Sequence, residues 1–181
     1  MNYHNITKDD MLNGDGLRVV LWLAGCEHHC KNCQNPITWD PNGGLEFDEM
    51  AFHEIFEELK KPYISGITFS GGDPLHPTNR VDVLELAKVI KLNYPTKTIW
   101  LYTGYSWEQI HRLPGIENID VIVDGKFVEE LADVTYPWAG STNQRIIDVK
   151  KSLERGCAIR YETEKEIYHE DLSRCDAGKC C

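Results

Sequence analysis

Apolar residues recur along this chain in two alternating rhythms, continuous short runs and spaced stripes. The first run, residues 18–23 (Arg-Val-Val-Leu-Trp-Leu), is apolar at nearly every position, as in a strand buried on both faces. A stripe follows over 48–60, where Phe52, Ile55, Phe56 and Leu59 fall at i, i+3, i+4 and i+7. That spacing predicts an amphipathic helix, with Asp48 placed to cap it and Lys61-Pro62 to end it. The alternation then repeats. A strand is predicted at 64–69, and a helix over 79–92 with Val83, Leu86, Ala87 and Ile90 on one stripe. A third strand is expected at 98–102, then a short helix over 106–112 opened by a Ser106/Gln109 capping box. A fourth strand is expected at 119–123, a short helix near 127–132, and weaker strands at 145–149 and 157–161. Residues 1–17 are polar, carry the turn signal Asn13-Gly14-Asp15-Gly16, and predict no element. Strands alternating with helices imply βαβ units, hence an α/β fold around a parallel sheet.

Composition narrows the setting. At 181 residues the chain is long enough for one domain with a real core, and no repeat or second domain is visible. A hydrophobic fraction of 41% with 27% charged residues is that of a soluble globular protein. The net charge of -10 argues against a nucleic-acid binder, which would present a basic face. The first residues, Met1-Asn2-Tyr3-His4-Asn5, do not read as a signal peptide, and no apolar run approaches a membrane span. The expected location is therefore the cytoplasm, where seven cysteines read as metal-binding or redox groups rather than disulfides.

The chemistry concentrates where strands end. Each of the first four predicted strands runs into a polar, glycine-bearing loop: Gly25-Cys26, Gly71-Gly72-Asp73, Thr103-Gly104-Tyr105 and Asp124-Gly125-Lys126. In parallel α/β folds ligands bind at the carboxyl ends of the strands. Cys26, Cys30 and Cys33 follow the first strand at C-x3-C-x2-C spacing. Three readings are open: idle thiols, a zinc site completed by His28, His29 or a tail cysteine, and a [4Fe-4S] cluster with one iron lacking a protein ligand. Gly71-Gly72-Asp73-Pro74 is either a tight strand-to-helix turn or a place where a ligand approaches the backbone, with exposed carbonyls for an ammonium group. Thr103, Tyr105, Asp124 and Lys126 read as turn chemistry or as groove-lining groups. Asn143, Gln144 and Arg145 read as a polar turn or as substrate contacts.

Together these motifs resemble the radical S-adenosylmethionine enzymes, whose signature is C-x3-C-x2-C after the first strand and Gly-Gly-acidic-Pro after the second. Asn13 to Arg18, Gly25 to Pro36 and Trp39 resemble the glycyl-radical-enzyme activases within that superfamily. Residues 70–77, 100–105, 123–127 and 140–145 resemble the branch that activates the anaerobic (class III) ribonucleotide reductase, and the likeness spans about residues 1–149. The resemblance implies an incomplete parallel (β/α) barrel, expected over 1–161; beyond the likeness the sequence itself reads as a polar tail, 162–181, with Cys175, Cys180 and Cys181. It implies that Cys26, Cys30 and Cys33 ligate a [4Fe-4S] cluster whose fourth iron takes the amino and carboxylate groups of S-adenosyl-L-methionine. Gly71, Gly72 and Asp73 would hold the amino group, and the backbone at Asn32, Cys33 and Gln34 would lie along the adenine. The implied activity is an oxidoreductase that cleaves the cofactor to a 5′-deoxyadenosyl radical and makes a glycyl radical on the large subunit of the anaerobic reductase. No catalytic acid or base is required, and a low-potential donor such as flavodoxin or ferredoxin would supply the electron. The alternatives are activation of another glycyl-radical enzyme such as pyruvate formate-lyase, a radical enzyme acting on a small molecule, and a non-catalytic zinc-binding adaptor. An accessory metal or redox role for the tail cysteines, with Cys157, is a further possibility of the sequence.

Overall fold

The apolar runs pair side by side at the centre of a seven-stranded sheet in the computed structural model, which describes residues 1–162. In chain order the first elements are β1 (Asn2–Asp10), β2 (Leu17–Leu23), β3 (Leu45–Glu46), α1 (Glu49–Leu59) and β4 (Ile64–Gly71). After them come α2 (Arg80–Asn93), β5 (Thr98–Tyr102), α3 (Trp107–Ile110), β6 (Val121–Asp124), β7 (Arg145–Asp148) and α4 (Val149–Arg155). The sheet order is β3-β1-β2-β4-β5-β6-β7.

The architecture is α/β, as expected, but the sheet is mixed. β2, β4, β5 and β6 are parallel. β1, β3 and β7 run antiparallel to their neighbours, which corrects the expectation of an all-parallel sheet. The cause on one side is local: β1 and β2 are joined by six residues, too few for a parallel crossover and enough for an antiparallel turn.

β1 lies in a stretch that predicted no element. Its side chains are half-buried or exposed throughout, so backbone pairing rather than an apolar pattern specifies it. One side-chain tie helps, the indole N–H of Trp22 donating to Thr7 Oγ1 at 2.7 Å. α4 was likewise not anticipated, since only Val149 and Ser152 are buried on it. The strand expected at 157–161 is reduced to an isolated bridge between Ile147 and Arg160. The helix expected near 127–132 is a single 3-10 turn, Glu129–Leu131, and that expected over 106–112 stops at Ile110.

The two faces of the sheet are built differently. On one, Val19, Leu21, Leu23, Ile67, Phe69, Ile99 and Leu101 pack against Ile55 and Leu59 of α1 and Val83, Ala87 and Ile90 of α2. Each such buried side chain contributes about 1.5–3 kcal/mol relative to exposure. Both helices start as the sequence predicts to within a residue, and Asp48 caps α1 by accepting from the Ala51 N–H at 2.9 Å. The opposite face carries Trp100, Val121, Val123 and Ile146 under Trp138, together with the buried polar residues Arg18, Thr68 and Ser70.

Arg18 closes the amino-terminal end of that second face. Its Nε donates to Thr68 Oγ1 at 2.8 Å, and its Nη2 to the carbonyls of Ile67 (2.7 Å) and Thr98 (2.9 Å). Nη1 donates to the Asp15 carbonyl and to Thr98 Oγ1, both at 2.9 Å. The guanidinium carbon lies 5.5 Å from the Trp100 ring centroid. Burial pulls the pKa of this group down to about 10, still high enough to keep it charged at neutral pH. The preceding turn fits here because Gly14, at φ +130, has no Cβ; one would stand 2.8 Å from the Trp100 ring. Among the described residues no helix is long and apolar enough to cross a membrane. Cys175, Cys180 and Cys181, and the division between 1–161 and 162–181, fall on or beyond the edge of the described residues.

Candidate metal centre

β2 ends at Leu23, and the chain turns at Gly25 (φ +102) into the cysteine loop. Two backbone hydrogen bonds close the base of this loop: Gly25 N–H to the Thr38 carbonyl at 2.7 Å and Cys26 N–H to the Trp39 carbonyl at 3.1 Å. Within it, His29 and Asn32 adopt left-handed conformations (φ 47 and 53). The Cys33 N–H donates to the Cys30 carbonyl at 3.2 Å, making a tight turn between the two thiols. The Asn35 N–H reaches Cys33 Sγ at 3.4 Å, a contact of the kind that tunes iron-bound thiolates.

The Gly-Gly-Asp turn lies directly against this base. Gly72 N–H donates to the Leu23 carbonyl at 2.8 Å and Asp73 N–H to the Gly25 carbonyl at 2.7 Å. A Cβ on Gly71 would stand 2.6 Å from Leu23 N, and one on Gly72 2.5 Å from the Gly25 carbonyl oxygen. Both glycines are therefore required for the turn to touch the end of β2, and both still line the cavity above it. Asn79 adds a cross-tie, its Nδ2 donating to the carbonyls of Ala24 (2.7 Å) and Asp73 (3.1 Å).

Asp73 is 2% exposed and collects donors from three loops. Its Oδ1 accepts from Leu75 N–H at 2.8 Å and Thr103 Oγ1 at 2.9 Å. Its Oδ2 accepts from Gly104 N–H at 3.0 Å and His28 Nε2 at 2.5 Å. Thr103 is thus a direct partner of the carboxylate. Tyr105 packs its ring edge on His28 at 4.7 Å and donates its hydroxyl to Glu27 at 3.0 Å; burial, then that carboxylate, pushes its pKa up to about 12.

Asp124 is turned away from this chemistry. It holds Arg145 through Nε at 3.0 Å and Nη2 at 2.5 Å, and caps α3 through the Trp107 N–H at 2.6 Å. Gln144 and Asn143 are also structural, donating to the carbonyls of Gly125 (3.0 Å) and Lys126 (2.9 Å).

A cavity of about 990 Å³ opens over these strand ends. Cys26, Cys30, Cys33, Gln34, Gly71, Gly72 and Asp73 all line it, from two loops the sequence placed at strand ends. Asn32 does not; it is exposed, and its side-chain amide bonds Glu129 on the outside of the loop. On the far wall, formed by Trp22, Tyr102, residues 125–127, residues 133–140 and Gln144, the sequence offered Lys126 and Gln144 as groove or substrate contacts and missed Trp22, Tyr102 and the 133–140 segment with Trp138. Residues 133–140 have neither helical nor strand periodicity, so nothing local in the sequence placed them at the site.

The donor set fits a thiolate-bound cluster. The three cysteines are half-buried and not disulfide-bonded. Burial, with the Asp73 carboxylate, pushes the Cys26 thiol up to about 11, against a backbone hydrogen bond from His28 that lowers it. Among the described residues no three His, Cys, Asp or Glu side chains converge as on a single metal ion. In a four-iron cluster each thiolate binds a different iron, so convergence on one point is not needed. The histidines invoked for a zinc site are otherwise engaged: His28 bonds Asp73, and the His29 ring lies edge-on to Trp39 at 4.8 Å. The cavity volume lies at the upper end of the range for small-molecule sites, about 300–1,000 Å³.

Comparison with known proteins bears on the same residues. A 4Fe-4S single cluster domain matches residues 12–147. The chain is 43% identical over 146 residues to the anaerobic ribonucleoside-triphosphate reductase-activating protein of Enterobacteria phage T4, covering 81% of this chain and 93% of that one. The proteins of the same name from Escherichia coli K12 (41% over 148 residues, 80% and 96% covered) and Haemophilus influenzae (40% over 150 residues, 81% and 97% covered) are similarly related.

Proposed function

We propose, since the chain belongs to the family of anaerobic ribonucleoside-triphosphate reductase-activating proteins and carries a 4Fe-4S single cluster domain, that it generates the glycyl radical of such a reductase. In this reading it is a radical S-adenosylmethionine oxidoreductase of the cytoplasm, taking electrons from a low-potential donor such as flavodoxin or ferredoxin. Bound together, the cluster and S-adenosyl-L-methionine would supply one-electron reductive cleavage and, through the radical so formed, removal of hydrogen from a glycine of the reductase large subunit.

The observation that carries the reading is the meeting of Cys26, Cys30 and Cys33 with Gly71, Gly72 and Asp73 on one cavity wall, at the carboxyl ends of parallel strands. Cys26, Cys30 and Cys33 would hold the cluster, one thiolate to each of three irons, with the fourth left to the cofactor. Gly71 and Gly72 offer carbonyls to the amino group of the cofactor, and Asp73 holds their turn and adds negative charge. The backbone from Asn32 to Gln34 would border the adenine. No side chain is asked to move a proton. The polar tasks left to the chain are orientation of the cofactor and exclusion of water from the cavity. Residues 1–161 make one domain, an incomplete barrel of the radical S-adenosylmethionine type whose open side admits a protein loop.

The test is anaerobic reconstitution with iron and sulfide, reduction, and addition of S-adenosyl-L-methionine with and without the reductase. The expected result is a brown protein that releases 5′-deoxyadenosine and methionine. Colourless protein with one zinc per chain would leave the adaptor reading instead.

A further inference from the structure

We infer that His28 is a positioning residue that clasps the cysteine loop to the Gly-Gly-Asp turn, so that the cluster and the amino-group site are held in register. This rests on the function proposed above. His28 sits between two of the three cysteines, and its side chain is 8% exposed. Its Nε2–H donates to Asp73 Oδ2 at 2.5 Å, across 45 residues of sequence. Its ring is held edge-on by Tyr105, at 4.7 Å and 74°. The place is cut to fit it: a Cβ on Gly104 would stand 2.4 Å from His28 Cδ2 and 2.6 Å from Nε2. The same Gly104 gives its N–H to the same carboxylate oxygen.

Without His28 the loop keeps attachments at its base and at its exposed rim, where the Tyr105 hydroxyl donates to Glu27 at 3.0 Å and the Asn32 amide bonds Glu129. At the base the carbonyls of Leu23 and Gly25 accept from Gly72 and Asp73. On the rim Lys31 also pairs with Glu129 at 2.7 Å and Glu130 at 3.3 Å. Lys31 is 73% exposed, and exposed ion pairs contribute only about 0–1 kcal/mol. The buried, charge-assisted bond from His28 is the strong tie between the part of the loop that carries the thiols and the turn that faces the amino group. A bland role, satisfying the Asp73 charge for stability, predicts an effect on folding alone.

His28→Ala, His28→Gln and Gly104→Ala separate the two roles in the full, reconstituted chain. The readouts are iron per chain, equilibrium affinity for S-adenosyl-L-methionine, and the change that this cofactor causes in the reduced cluster's paramagnetic resonance. His28→Ala and Gly104→Ala are expected to hold the full iron complement yet bind the cofactor roughly ten- to a hundredfold more weakly, the scale of one charge-assisted hydrogen bond. The spectral change is expected to be blunted in both. Gln carries an amide N–H that can reach Oδ2, so His28→Gln should stay within roughly threefold of the parent. Unchanged affinity in His28→Ala with a lowered melting temperature would overturn the proposal, as would His28→Gln binding no better than Ala. If His28→Ala fails to fold, Gly104→Ala against His28→Gln decides by the same criteria. If the parent binds no cofactor, the function fails and the clasp is read separately, from alkylation of Cys30 in metal-free protein. His28→Ala should then react at least roughly tenfold faster, and equal rates would overturn the clasp as well.

Discussion

Arg18 and Asp73 are both charged, 0% and 2% exposed respectively, and lie at opposite ends of the parallel strands. Arg18 draws its partners largely from the strands themselves, β4 and β5, and faces Trp100. Asp73 draws its partners from the cysteine loop, its own turn and the loop after β5, and it faces a cavity. A buried charge satisfied by rigid strands fixes a fold. A buried charge satisfied by loops from different strand ends fixes the relative position of those loops, and that is what a binding site needs. The two ends should accordingly fail in different currencies, one in stability and the other in ligand binding.

The sharpest contrast comes from replacing any one of Cys26, Cys30 or Cys33 with Ser. Cluster iron and radical formation should be lost altogether, while the unfolding free energy of the metal-free chain moves by no more than a surface substitution would, about 0.5 kcal/mol. Arg18→Met should do the reverse. It leaves the carbonyls of Ile67 and Thr98 without the donor they have, and unfolding in denaturant should show a loss of about 3 kcal/mol. The molecules that remain folded should bind cofactor normally. A stable Arg18→Met protein with weakened cofactor binding would break the comparison.

Thr103→Val tests the Asp73 end more gently. It removes the hydroxyl that donates to the carboxylate at 2.9 Å, so a loss of about 1 kcal/mol in stability and a few-fold in cofactor affinity are expected, measured by melting and equilibrium dialysis. The smallest effect belongs to Glu108. Arg145 holds its carboxyl down from 4.5 to about 2, through bonds at 3.1 and 2.9 Å. Because the folded value is depressed, the contribution is present above about pH 4.5 and is lost as the pH falls toward 2. Glu108 is 57% exposed, so solvent screening limits the contribution to under about 1 kcal/mol. Glu108→Gln should therefore lower stability slightly at pH 7 and not at all at pH 2 in urea melts.

The same contrast explains what could be read from the sequence. The strands around Arg18 and the helices over them were legible because burial writes itself into local pattern: Val83, Leu86, Ala87 and Ile90 are the buried stripe of α2. β1 was not, because its half-buried polar residues owe their conformation to pairing with Leu21 and its neighbours, a non-local cause. β7 was found, but its antiparallel pairing with β6 is a tertiary relation that no local pattern encodes. At the site, the thiols and the two glycines are legible as residue types at fixed spacing. His28 sits in plain view among the cysteines, yet its partner is 45 residues away, so its role exists only in three dimensions. Thr103 became a carboxylate partner for the same reason.

The most direct measurement is electron paramagnetic resonance of the reconstituted, reduced protein frozen after incubation with S-adenosyl-L-methionine and an anaerobic ribonucleoside-triphosphate reductase. A glycyl doublet on the reductase, absent when Cys30→Ser protein is used, is the predicted result. No doublet on the reductase from a cluster-loaded protein, or a doublet on pyruvate formate-lyase instead, would contradict it.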